Sequence, residues 1–435
     1  MKTTQYPDRT KQPSLGRPVS LVLPQIESIK LNNGLEFFLI PDSTQEVTRL
    51  DLVFDAGSSA QKKKLQAAAV NQLLSEGTRQ KTSMEIAEIL DFHGAYLDKF
   101  LSKDKAGLTL FGLTKYYHRL LPLLVEMLSE AVFPERELKI FDDRKKQEYL
   151  VNIQKVRYQA SLEFNRLVFG VNSAYGQILE ADDFGLLTRE DLLDFYKNNY
   201  QTTGFYGILS GKVDNELLKH LQASFGHLGQ AEQTTPVIPV DFISPSSKNE
   251  KLIPKKAALQ SAIRMGGLTI DRNHPDFPKL SLLNTVLGGY FGSRLMGSLR
   301  EDKGYTYGIY SLIQNYRHAA YFAIATEVNA EHTKAAVDEI CRQMEMLRSE
   351  KISGDELRTV KNYVYGSYLR NFDGSFALAE RFMKSRELEM PFESYRQTLD
   401  AMMRCTADDL LQTAQKYLNP DKMKTLVVGN TTDFV

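Results

Sequence analysis

Ser293-Arg294-Leu295-Met296-Gly297-Ser298-Leu299-Arg300-Glu301-Asp302-Lys303-Gly304-Tyr305-Thr306-Tyr307 is the stretch on which the reading of this chain turns. Arg300 to Gly304 has the form of a charged helix end closed by a glycine. Tyr305, Thr306 and Tyr307 are residues that strands favour. The Arg300 guanidinium offers forked donors to a carbonyl, and the Tyr307 phenol can donate to an oxyanion. Neither needs a metal in its own chain. The preceding run, Leu287-Gly288-Gly289-Tyr290-Phe291-Gly292, is neither a Walker loop nor a dinucleotide fingerprint, and reads as a helix end and a close turn.

The 435 residues balance 54 Lys and Arg against 54 Asp and Glu, so no electrostatic footprint points to nucleic acid or an anionic membrane. The length allows two or more domains with full cores. Apolar runs are short and broken by charge, and no membrane span is expected. Met1 to Ser20 has neither the apolar centre of a signal peptide nor the Arg-rich, acid-poor character of a mitochondrial presequence. Two cysteines, Cys341 and Cys405, can build neither a disulfide framework nor a zinc knuckle. The expected location is the cytoplasm, or the periplasm if a leader has been trimmed.

Two distant segments follow one script. Thr188-Arg189-Glu190-Asp191-Leu192-Leu193 and Thr406-Ala407-Asp408-Asp409-Leu410-Leu411 each pair a capping Thr with an acid three residues on. Each helix runs to a tyrosine, Tyr200 or Tyr417, and then to an apolar strand, Phe205–Gly211 or Thr425–Gly429. From 188 to 406 and from 211 to 429 the step is the same 218 residues, which predicts a duplicated domain. The Pro- and Ser-containing stretch 230–256 reads as a linker between a first domain, 21–229, and a second, 257–435. Gly34–Ile40 and Leu50–Phe54 read as strands, the second by clean alternation, and Asp98–Thr114 as a strand pair. Thr82 and Glu85 open a helix that stops at Gly94. Leu120–Val132, Phe141–Tyr158, Lys334–Leu347 and Asp355–Leu369 read as helices, while Tyr305–Tyr310 and Ala320–Val328 look extended. The expected class is α+β: two homologous domains, each a mostly antiparallel sheet with helices packed on one side.

The Ser293–Tyr307 run resembles the Ser-Arg-Leu…Leu-Arg-Glu-x-x-Gly-x-x-Tyr block of the insulinase (pitrilysin-like, inverzincin) peptidases. The resemblance spans about Ile29 to Gly429 and implies the LuxS/mitochondrial-processing-peptidase-like metallohydrolase fold. It also implies that Arg300 and Tyr307 bind substrate and stabilise the transition state. The family's zinc motif, His-x-x-Glu-His, belongs ahead of a Gly-Thr pair. Here that segment reads Leu65-Gln66-Ala67-Ala68-Ala69-Val70-Asn71-Gln72-Leu73-Leu74-Ser75-Glu76-Gly77-Thr78, without a histidine. Ala68 stands at the first His, Asn71 at the Glu and Gln72 at the second His. On a helix these positions share a face, where two imidazoles would bind zinc and the acid would activate water. Ala68 has no donor atom, and the two amides are poor ligands that cannot take a proton from water. The third ligand position falls on Glu148 by distance or on Val151 by local pattern. The seven histidines, His93, His118, His220, His227, His274, His318 and His332, include no pair three or four residues apart.

Gly94-Ala95-Tyr96 resembles the start of the strand that pairs with substrate in active relatives, and the sequence is equally compatible with a covered edge. Family members of this length work in pairs, one chain bringing zinc and the other the Arg/Tyr pair. The resemblance therefore implies a chain with no cofactor of its own, zinc in a homologous partner subunit, and a peptide substrate. The alternative is a catalytically silent structural or peptide-binding subunit of a larger complex. No Gly-x-Ser-x-Gly elbow supports an independent hydrolase.

Overall fold

Thr188 and Thr406 each close a capping box, the hydroxyl accepting from the backbone of Asp191 or Asp409 while that acid accepts from the threonine amide. Each cap satisfies amides that the first helical turn leaves without partners. Thr188→Ala or Thr406→Ala should each cost about 1 kcal/mol, seen as a lower thermal midpoint that Ser at the same position restores.

The computed structural model describes residues 10, 20–201, 204–228, 241, 249–255 and 257–434. Most of the N-terminal 20 residues, and 230–240 and 242–248 of the expected linker, lie outside the described residues. In chain order the strands are β1 Glu27–Lys30, β2 Glu36–Pro41, β3 Val47–Phe54, β4 Tyr96–Leu101, β5 Ala106–Leu113, β6 Tyr206–Gly211, β7 Glu250–Pro254, β8 Gln260–Thr269, β9 Ile309–Asn315, β10 Ala320–Asn329 and β11 Lys424–Gly429. The helices are α1 Gln66–Leu73, α2 Ser83–Phe92, α3 Tyr117–Glu130, α4 Glu135–Asn152, α5 Val156–Phe169, α6 Arg189–Tyr196, α7 Asn215–Phe225, α8 Phe277–Asn284, α9 Thr333–Ser349, α10 Gly354–Asn371, α11 Ser375–Glu387, α12 Ser394–Arg404 and α13 Ala407–Tyr417. Among the described residues no helix is long and apolar enough to cross a membrane.

Two sheets repeat one topology. The first runs β1-β2-β6-β3-β5-β4 and the second β7-β11-β8-β10-β9. The β2–β6 and β7–β11 pairs are parallel, and every other pair is antiparallel. The fold is thus the expected α+β duplication. β7 lies inside the stretch read as linker; its partner β11 comes about 170 residues later, so no local turn signals it. The helix expected over Phe141–Tyr158 is two helices, broken between Asn152 and Val156.

Each half packs its own helices against one face of its sheet, around one apolar core per half. The opposite faces are covered by exchange. α5 of the first half lies on the second sheet, where Ala160, Phe164 and Val168 meet Ala262, Ala323, Leu426 and Val428. α11 of the second half lies on the first sheet, where Ala379 and Phe382 meet Phe38, Ile40 and Ile208. Phe164 and Phe382 are again 218 residues apart, so the exchange obeys the repeat. The strand expected over Leu50–Phe54 is present as part of β3, and the charged residues of that strand, Arg49 and Asp51, are buried beneath α11 and pair with each other.

Candidate functional site

The motif helix α1 is present, and its residues do not fit a metal. Ala68 is half-buried and packs against the core. Asn71 is buried, and its amide donates to the Gly107 carbonyl (3.2 Å) and the Tyr200 hydroxyl (3.1 Å). Burial drives the Tyr200 phenol well above its usual range, which keeps it neutral. Asn71 therefore ties α1 to β5 and to the turn Lys197–Gln201 that follows α6. Gln72 contributes its main chain instead: its carbonyl accepts from Lys99 Nζ at 2.5 Å. Lys99 also reaches Ser75 Oγ at 2.6 Å and lies 3.9 Å from Glu76. Burial lowers the Lys99 pKa, opposed by the charge of Glu76. Lys99 sits on β4, an edge strand, where Tyr96 is 62% exposed. Gly94, with φ +59°, forms the left-handed turn between α2 and that strand.

The two positions proposed for a third ligand are no better placed. Glu148 is half-exposed and pairs with Lys145 at 2.8 Å and Arg144 at 4.0 Å on its own helix, and Val151 is exposed. Most described histidines serve local structure. His93 bonds the Ile89 carbonyl, His118 bonds the Lys115 carbonyl, His274 accepts from the Asp276 amide and His332 stacks on Tyr305. His118 and His220 stand 5.7 Å apart between ring centres, a pairing invisible in sequence, with Glu216 3.7 Å from His220. Among the described residues no group of three His, Cys, Asp or Glu could hold a metal ion.

The Arg300 segment is built differently. Met296–Asp302 is a wide, π-type turn in which the Lys303 amide bonds the Ser298 carbonyl five residues back. Arg294 anchors its start through two 2.8 Å bonds to Glu356 on α10. The Ser298 hydroxyl donates to Glu339 on α9, and Arg342 and Gln343 complete the coordination of that carboxylate. Burial raises the Glu339 pKa, but bonds from Arg342, Gln343 and Ser298 outweigh it and hold the value at about 2. The unfolded value is about 4.3. The stabilisation is therefore complete above pH about 4.3 and fades as acid approaches pH about 2. Glu339→Gln should cost about 2 kcal/mol at neutral pH, and the gap in thermal midpoint from the native chain should close on acidification through that window.

Beyond the turn, Tyr305 is fixed by its amide to the Leu299 carbonyl and by its ring on His332 at 4.4 Å. Thr306 bonds the Gly308 and Glu327 carbonyls and receives Thr326. The expected strand Tyr305–Tyr310 begins only at Ile309, because these side chains pin a loop first. Between two anchored neighbours, Tyr307 projects 92% exposed. Arg300 rests over the Phe291 ring at 4.6 Å, and no hydrogen-bond acceptor or ion-pair partner is found for it among the described residues. Phe291, Thr306, Glu339 and Lys99 are contributors that the motif reading passed over. Phe291 lies in the glycine-rich run, and its neighbour Gly288 has no room for a side chain against Ser311.

Register connects the two segments expected to meet substrate. Tyr96 pairs with Phe111, Phe111 with Arg49, and Arg49 with Ser210. The 218-residue step takes Ser210 to Val428, which pairs with Ala262, itself opposite Glu327. One position beyond the Thr326–Ile309 pair, Glu327 falls level with Gly308. Tyr96 thus holds the place of Gly308, and Ala95 the place of Tyr307. The two segments are counterparts on different sheets, and no hydrogen bond, ion pair or ring contact joins them among the described residues. Two cavities lie away from both segments, one of about 570 Å³ beside α7 and one of about 370 Å³ where β8 meets the end of α13.

Residues 186–364 match the family model described as the peptidase M16 inactive domain. The chain is 23% identical over 372 residues to the uncharacterized zinc protease YmxG of Bacillus subtilis, covering 83% of this chain and 88% of that protein. It is 24% identical over 364 residues to the non-peptidase homolog YmxG of Helicobacter pylori, covering 76% and 82%. A solved peptidase M16 inactive domain from Pseudomonas fluorescens superposes with a TM-score of 0.83 at 22% identity, covering 94% of this chain and 99% of that one. Residues 186–364 thus carry an M16 inactive-type domain, the fold of the chain is that of a solved M16 inactive domain, and the helix α1 bears Ala68, Asn71 and Gln72 and no histidine.

Proposed function

We propose that this chain is the metal-free subunit of a two-chain zinc peptidase, lending Arg300 and Tyr307 to the site of a homologous, zinc-bearing partner that hydrolyses peptides. One observation carries the reading: a fixed, outward Tyr307 and an Arg300 with no acceptor among the described residues stand on a chain in which no described group of His, Cys, Asp or Glu could hold a metal ion. A guanidinium spends nothing on an internal ion pair here, and so remains able to meet a peptide carbonyl. The phenol needs only to reach the oxygen on which charge develops. The relatives support the reading from two sides, one described as a zinc protease and one as a non-peptidase homolog. Gly94, Ala95 and Tyr96 would offer a further edge along which an extended peptide can pair.

The test is reconstitution. A zinc-bearing M16 chain, such as one encoded beside this one, is assayed alone and with this chain on a quenched fluorescent peptide. The expected result is a 1:1 complex and a large rise in hydrolysis. A complex that forms with hydrolysis unchanged would favour the silent structural subunit instead.

A further inference from the structure

The misfit between the motif helix and a metal extends beyond the three substituted positions. Residues 68 and 72 both lie on α1, whose last turn packs against β4. What β4 presents there is Lys99. This side chain leaves β4, is only 19% exposed, and delivers its ammonium to the Gln72 carbonyl at 2.5 Å and Ser75 Oγ at 2.6 Å. The Gln72 carbonyl belongs to the last turn of α1, where carbonyls lack helical partners and carry the negative end of the helix dipole. A cation is the natural complement of such an end. Glu76, 3.9 Å away, supplies the remaining negative charge.

We propose that the Lys99 ammonium is a built-in cation that takes over the electrostatic role of a metal at this helix, clasps α1 to the edge strand, and excludes divalent ions from the groove between them. Two bridges then close that groove, Asn71 to Gly107 on β5 and Lys99 on β4 to Gln72. A divalent ion beside them would meet the positive charge of a largely buried ammonium. Loss of metal chemistry in this chain is accordingly a matter of four positions, with Lys99 the one that acts through charge.

The isolated chain is enough to test this, independently of any partner or peptidase activity. Ala68→His with Gln72→His rebuilds the i, i+4 imidazole pair, and Co²⁺ binding is followed by its visible absorption and by calorimetry. The pair is made with Lys99 retained, with Lys99→Met, which keeps the length of the side chain, and with Lys99→Arg, which keeps the charge. Circular dichroism and thermal midpoints confirm that each variant folds. The Met version should bind Co²⁺ at least tenfold more tightly than the Lys version, and the Arg version should stay weak. Equal affinity in all three would overturn the proposal, as would tight binding with Lys99 in place. A lower midpoint for the Met version with unchanged affinity would also overturn it, since that marks a purely structural residue.

Discussion

Tyr307→Phe should leave this chain folded and cut the turnover of its complex with a zinc-bearing partner by about a hundredfold to a thousandfold, the usual loss when one oxyanion donor is removed. The ring is 92% exposed and makes no hydrogen bond through its hydroxyl among the described residues, so the substitution deletes one oxygen without disturbing packing. Its neighbours Tyr305 and Thr306 hold the loop whatever stands at 307. The loss should fall on kcat, because the phenol meets charge that exists only in the transition state. Arg300→Ala should raise KM as well, since a guanidinium can bind the substrate carbonyl before reaction. Steady-state kinetics of the reconstituted pair separate these outcomes, and unchanged kinetics in both variants would contradict the proposed role.

Arg49→Ala should destabilise the chain by about 3–5 kcal/mol, the cost of stranding a buried charge. Asp51 is fully buried, and Arg49 Nε and Nη2 lie 2.9 and 3.0 Å from its carboxylate, with Thr109 donating at 2.6 Å. Burial already pushes the Asp51 carboxyl above its ordinary range against the pull of Arg49. Without the guanidinium, that carboxylate keeps a single hydroxyl donor beneath α11. Arg49 also meets Glu380 on α11 at 3.1 Å, but Glu380 is largely solvated and that contact is worth little. Thermal unfolding should show a much lower midpoint for Arg49→Ala. Most of the loss should be recovered by Arg49→Met with Asp51→Leu, because an apolar pair of similar volume needs no partner.

The same residues show what the sequence discloses and what it hides. Capping boxes are local, so Thr188 and Thr406 were readable, and their shared spacing exposed the duplication. The strand β3 was readable as a strand but not as a central one. Asp51 looks like a solvent-facing residue until α11, over 300 positions away, covers it. β7 escaped for the same reason, since its only cue is a partner far along the chain. In the candidate site, the substitutions at 68, 71 and 72 and the Arg300–Tyr307 spacing could be read directly from residue types. Lys99 could not: nothing local marks a lysine on an alternating edge strand as one whose ammonium ends on a helix carbonyl. Phe291 was likewise hidden, because its contact with Arg300 crosses a turn whose π geometry no simple periodicity predicts.

Elemental analysis of the purified chain on its own, paired with a peptide-hydrolysis assay before and after chelation, puts the foundation of all this at risk. We expect far less than one zinc per polypeptide and no hydrolysis for a chelator to abolish. One tightly held zinc per polypeptide, with cleavage that stops on its removal, would contradict it.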